Sequence, residues 1–326
     1  MTLQDRKKIE LHHHLEGAAS PEYVRRVAAR KGLELGPIFD AGGHYQYGNF
    51  GEFLATYEAA TAPFKSPEDY ADLTEAVLSD AAAHGVVYVE SFLSPDFCGG
   101  RDVAAWRDYL AAMEEGAARA EAQHGITLRG CVTIIRHFGP EGARETARCA
   151  QETAGRFITG FGIAGDENAH ELADFAYAFD MAREAELGLT AHAGEWRGAD
   201  EVRAALALGV SRVGHGIGAA QDPDLMRELS QRGTVLEVCP GSNVALGAVA
   251  GWEAHPIEIL RKNGVKLTVS TDDPPFFHTD MTREYEKLIE IFGWTAAEFD
   301  IIDKTALDAA FCDSDTRATI AKRLAS

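Results

Sequence analysis

Ile9-Glu10-Leu11-His12-His13-His14-Leu15-Glu16-Gly17 reads as a short strand running into a cluster of imidazole and carboxylate side chains. Strand geometry alternates side chains across a sheet, so His12 and His14 face one way and His13 the other. With the strand itself at residues 9–12, apolar runs of the same kind recur at 86–92, 128–135, 157–163, 189–193, 212–214, 234–238 and 266–270. Each ends in polar or glycine-rich residues, and most are followed by an alanine-rich amphipathic stretch such as 102–123, 141–154 or 171–186. Eight strand–helix repeats predict an α/β chain folded as a closed (β/α)8 TIM barrel.

Outward from that pattern, residues 20–83 are too long for one crossover helix and are expected to form a helical insertion after strand 1. Within it, residues 36–50 carry Pro37, Gly42, Gly43 and Gly48, as a lid over the barrel mouth would. After residue 270 only helical patterns return, at 281–292 and 306–324, so the barrel closes there. No repeat or linker divides the chain, and 1–326 is expected to be one domain.

Composition narrows the functions open to such a barrel. The net charge of −20 repels a polyphosphate backbone, which argues against nucleic acid and for a small neutral or cationic substrate. Five cysteines form no CxxC pair and cannot all pair, as expected of a reducing, cytoplasmic setting. No stretch reaches the ~20 apolar residues of a membrane span, and the polar N-terminus lacks a signal-type apolar segment. Oligomeric state is not encoded in any readable pattern.

Barrel chemistry sits at the C-terminal ends of the strands. There the sequence puts His12 and His14, then His192-Ala193-Gly194-Glu195, His215-Gly216 and Asp272-Asp273-Pro274. Three imidazoles and one carboxylate, His12, His14, His192 and Asp272, make a ligand set suited to one Zn2+ with a position left for water. Zinc held in this way supplies hydroxide near neutral pH. Glu195, three residues past His192, is the candidate proton donor, His215 would orient or deprotonate the water, and Asp273 would face the substrate.

These segments resemble the adenosine deaminase family of the amidohydrolase superfamily. The resemblance rests on His12-His13-His14-Leu15-Glu16-Gly17-Ala18, Ala164-Gly165-Asp166-Glu167, His192-Ala193-Gly194-Glu195, Gly214-His215-Gly216, Cys239-Pro240-Gly241-Ser242-Asn243 and Ser270-Thr271-Asp272-Asp273-Pro274. It implies hydrolytic deamination of a 6-aminopurine with Glu195, His215 and Asp272 as catalytic residues. By the same resemblance Gly165 N–H binds N3, Asp273 pairs with N7, and His14 and Glu16 complete the substrate site. Adenosine and 2′-deoxyadenosine are the expected substrates; adenine and aminodeoxyfutalosine are the alternatives.

Departures from the family pattern bear on that order. Glu16 stands where adenosine enzymes more often carry aspartate near the ribose; it could contact ribose or accept from a neighbouring histidine. Gly162 and Gly241 replace a common aspartate and threonine. Asp166 and Glu167 are expected to be structural, Ser242-Asn243 to be turn residues, and Phe53, Leu54, Tyr57 and Phe64 to be core. His13, His44, His255 and His278 receive no chemical role. A two-metal amidohydrolase would want a lysine or carboxylate at the end of strand 4, which has Ile163-Ala164-Gly165 instead. A deaminase of the P-C-x-x-C type lacks its motif here. A non-catalytic purine-binding barrel would have lost a ligand or Glu195.

Overall fold

The computed structural model describes residues 2–325. Strands β1 (Lys8–His14), β2 (Val86–Leu93), β3 (Thr127–Ile135), β4 (Ile158–Ala164) and β5 (Gly188–Leu189) pair in parallel in that order. Strands β6 (His192–Ala193), β7 (Arg212–His215), β8 (Val235–Val238) and β9 (Lys266–Val269) form a second parallel set. β5 leads directly into β6. At the other edge the His14 N–H donates to the Asp272 carbonyl and the Asp272 N–H to the His12 carbonyl, at 3.0 and 3.1 Å, which joins β1 to the end of β9. All eight expected strand positions are thus present. The fifth is divided because Gly188–Leu189 pairs with β4 whereas His192–Ala193 pairs with β7.

Strands covered on both faces read as continuous apolar runs. β2 is an example, with all eight residues buried. Outside it, Ile9, Leu11, Val87 and Tyr88 pack on Ala306 and Ile320 of the C-terminal helices and on Ala310 between them.

The insertion supplies three helices whose starts are written in the sequence. Ser20 caps Pro21–Lys31, Asn49 caps Phe50–Thr61, and Ser66 with Asp69 makes a capping box on Pro67–Ala83. Met281–Phe292 has the expected bounds, opened by Asp280 and closed by Gly293 at φ 69°. The expected helix at 306–324 is corrected to two, Ala296–Ala309 and Ser314–Leu324. The break is chemical: Asp313 accepts from the Thr316 N–H as a new N-cap, and the Phe311 N–H is drawn to the buried Glu90 carboxylate. Residues 36–50 dock on the barrel mouth. Tyr45 stacks on Phe276 at 3.8 Å, and the Tyr47 hydroxyl donates to the Phe276 carbonyl. Among the described residues no helix is long and apolar enough to cross a membrane.

Candidate metal centre and active site

The strand ends converge on one cluster of donor atoms. His14 Nε2 lies 3.2 Å from His192 Nε2, and Asp272 Oδ1 lies 3.3 Å from His12 Nε2 and 3.1 Å from His14 Nε2. Around an ion with bonds of ~2.0–2.1 Å, tetrahedral ligand atoms sit about 3.3 Å apart. His12 Nε2 and Asp272 Oδ1 are buried without a hydrogen-bond partner. Buried polar atoms in that condition are costly unless a further group satisfies them, and a divalent cation fits. A second grouping, His12, His215, Cys239 and Asp272, is also close enough to share an ion. It fits less well, because burial and the nearby Asp272 carboxylate hold the Cys239 thiol well above its ordinary pKa.

The local backbone explains how side chains crowd together here. His215 and Asp272 adopt φ of 58° and 66°, a left-handed conformation costing roughly 1–3 kcal/mol in a non-glycine residue and concentrated at functional sites. Glycines admit the neighbours: a Cβ on Gly214 would come within 2.8 Å of the His12 ring, and one on Gly17 within 1.6 Å of Asp273 Oδ1. Outer partners orient the donors. Glu237 Oε2 is 2.9 Å from His12 Nδ1, and Ser242 Oγ donates to Asp272 Oδ2 at 2.7 Å. Burial opposes a charge on His12, but Asp272 and Glu237 outweigh it and lift its pKa to about 9. Burial and neighbouring histidines push His192 well below the usual range.

Opposite the donors stands Glu195. The Glu167 carboxylate accepts the backbone N–H groups of Glu195, Trp196 and Arg197 at 2.9–3.0 Å, so Glu167 pins the acid-bearing loop. That is a structural role, reached by holding a loop. Burial first, then Asp272 and Glu167, raises the Glu195 carboxyl well above its ordinary pKa, favouring the protonated acid. Asp273 is raised likewise by burial and then by Asp272, and its Oδ1 has no hydrogen-bond partner.

One cavity unites these groups. His14, Gly165, His192, Glu195, His215, Asp272 and Asp273 line it, and an apolar wall of Phe50, Phe53, Leu54, Tyr57, Phe97 and Ile135 faces them. Phe53 and Tyr57 belong to the buried core, as expected, and line the pocket as well; Leu54, packed against that core, lines it too, and Phe64 is core alone, 1% exposed. Their helical spacing was readable, but not which element it would face. Glu16 is not among the lining residues. Its buried carboxylate accepts from the Tyr70 hydroxyl of the insertion at 2.9 Å.

Three residues read as turn or as roleless also enter. Ser242 holds Asp272, as noted. Asn243 contacts both Glu195 and His215, and His255 contacts Asn243. His137, not singled out in the sequence, joins the lining beside Gly165. The one signal available was that Ser242-Asn243 follows a strand at its catalytic end. His13 turns away to Ser91 Oγ at 3.0 Å, as alternation required.

Fold and site together define a barrel hydrolase with a cluster of candidate metal ligands at the C-terminal ends of its strands. The family model for adenosine deaminase matches residues 7–326, and the chain belongs to that family. It is 45% identical to adenine deaminase of Rhizobium leguminosarum bv. trifolii (strain WSM2304) over 98% of both chains. It is 46% identical to adenine deaminase of Chelativorans sp. (strain BNC1) over 97% of each. Among solved structures, adenine deaminase from Arthrobacter aurescens superposes with a TM-score of 0.90 at 28% identity, covering 98% of both chains. An amidohydrolase from Burkholderia ambifaria solved with bound Zn superposes at 0.87, with 27% identity over 99% of this chain and 90% of that one. The chain is accordingly a hydrolytic deaminase acting on the amidine C–N bond of a purine.

Proposed function

We propose that this deaminase acts on adenine, releasing ammonia and leaving the 6-oxopurine, with one zinc ion held by His12, His14, His192 and Asp272. The observation that carries the choice of adenine is Glu16. The residue expected to meet a ribose is turned to Tyr70 and is absent from the cavity lining. Relatives covering nearly the whole chain are named adenine deaminases, in keeping with this order and against adenosine as the main substrate.

When bound, the zinc supplies a water that is nucleophilic at neutral pH. Glu195, protonated, gives its proton to N1 of the ring as C6 is attacked. His215 and Asp272 orient the attacking water. Asp273 engages N7, and because its pKa is raised it can do so as an O–H donor. The Gly165 N–H takes N3, and the apolar wall excludes bulk water, strengthening each of these contacts. The five cysteines are all free, as a reducing cytoplasm would keep them.

The test is ammonia release from adenine, adenosine, 2′-deoxyadenosine and aminodeoxyfutalosine measured side by side on zinc-loaded protein. Adenine is expected to have the highest kcat/KM by at least about 10²-fold, as rejection by unmatched polar groups allows. A preference for either nucleoside would overturn the reading.

A further inference from the structure

Behind Glu195, three buried side chains form a hydrogen-bond chain whose direction is set by the backbone. The Ile257 N–H, at the start of helix Ile257–Lys262, donates to His255 Nδ1 at 3.2 Å. A backbone N–H cannot reverse, so Nδ1 is an acceptor and a neutral His255 carries its proton on Nε2. Burial, with His255 only 3% exposed, pulls its pKa down to about 4 and keeps the ring neutral. His255 Nε2 therefore donates to Asn243 Oδ1, 3.2 Å away. That orients the amide, leaving the two hydrogens of Asn243 Nδ2 for His215 Nδ1 at 3.1 Å and Glu195 Oε1 at 3.3 Å.

Two consequences reach the reacting groups. His215 Nδ1 accepts, so the His215 proton is on Nε2, which faces Glu195 Oε2 at 3.8 Å and Asp272 Oδ2 at 4.0 Å. Glu195 Oε1 accepts, so the proton of the acid rides on Oε2.

We propose that Asn243 and His255 are positioning residues that fix the tautomer of His215 and the proton-bearing oxygen of Glu195. Of the two roles open to His215 from the sequence, this selects orientation of the water by an N–H donor over removal of its proton. The inference rests on Glu195 as proton donor, as proposed above.

Asn243→Asp keeps shape and volume but exchanges the Nδ2 donor for an acceptor. His255→Phe removes the upstream donor, and His255→Gln restores one near the Nε2 position. Zinc-loaded wild type and variants are compared for kcat and KM with adenine, metal content, melting temperature, and 15N NMR of labelled histidines. Wild-type His215 is expected as the Nε2–H tautomer. Asn243→Asp is expected to lose about 10²-fold or more in kcat with KM within about threefold, full metal, and His215 shifted to Nδ1–H. His255→Phe should lose about 10-fold and His255→Gln recover most of it. An Nδ1–H tautomer in wild type, wild-type kcat in Asn243→Asp, or a kcat loss that merely tracks metal loss with the tautomer unchanged would overturn the proposal. Should wild type fail to deaminate adenine, the substrate reading falls, and the tautomer measurement still decides on the relay.

Discussion

Two clusters of buried charge share the barrel interior, joined through His12, and they are built on opposite terms. Toward the N-terminal ends of the strands, Arg212 pairs with Glu90 at 2.7 Å and with Glu237 at 2.6 Å, while its guanidinium covers the Phe311 ring at 3.5 Å. Thr190 and Tyr88 donate to the same carboxylates. Burial disfavours a charged Glu237, yet Arg212 and His12 hold its pKa below the ordinary value. At the C-terminal ends, three imidazoles and Asp272 crowd together with donor atoms left unmatched. The first cluster is neutralised by its own members; the second has the donor set to hold a cation from outside. Burial alone does not mark a functional site: in the first cluster a cation faces carboxylates, whereas in the second imidazoles and a carboxylate turn electron-pair donors toward one another.

Four substitutions would break or sharpen that contrast. Glu195→Gln should lower kcat by about 10²–10⁴-fold, measured by ammonia release, while metal content and melting temperature hold; retained turnover would remove the acid from the mechanism. Arg212→Met leaves two buried carboxylates without their cation and should cost about 3–5 kcal/mol in denaturant unfolding. An unaltered midpoint would mean the lower cluster is not held by that pairing.

Glu16 lies outside both clusters and tests burial itself. Burial raises its pKa to about 7 despite the hydrogen bond from Tyr70. For an acid raised in the folded state, the protonated form is favoured by folding. Its stabilising contribution is complete below the unfolded value near 4.5 and is lost as pH climbs through about 7. Glu16→Gln should therefore gain on wild type by up to roughly 3 kcal/mol between pH 5 and pH 8. Parallel melting curves at the two pH values check this, and a constant difference would contradict it. Smallest is Ser242→Ala, which frees Asp272 Oδ2 and should weaken metal affinity about 10–100-fold in a chelator competition. No change there would show that Asp272 is held by its backbone alone.

Much of this arrangement was legible in the chain. Residues such as His12, His192 and Asp272 announce themselves because each closes an apolar run, and a barrel brings all such ends to one rim. Helix Met281–Phe292 was legible for a similar reason, since Asp280 and Gly293 supply both of its stops locally. The break after Ala309 was not, because the Phe311 N–H is claimed by Glu90, 221 positions earlier. Ser242 was obscured in the same way, its partner Asp272 lying 30 positions on. Asn243 was read as a turn residue while its contacts come from β7, the loop after β6 and the segment before Ile257.

The sequence by itself determined the parallel barrel and which side chains gather at its rim as the candidate metal site, with an acid beside them. Strand period and residue type carry that information locally. Only the tertiary structure decided which polar groups are used up. Glu16 is spent on Tyr70 and Glu167 on three backbone amides, whereas Asp273 Oδ1 and His12 Nε2 are left without partners. Hydrogen-bond satisfaction is a property of three-dimensional neighbours, so it is settled when the strands close and not before.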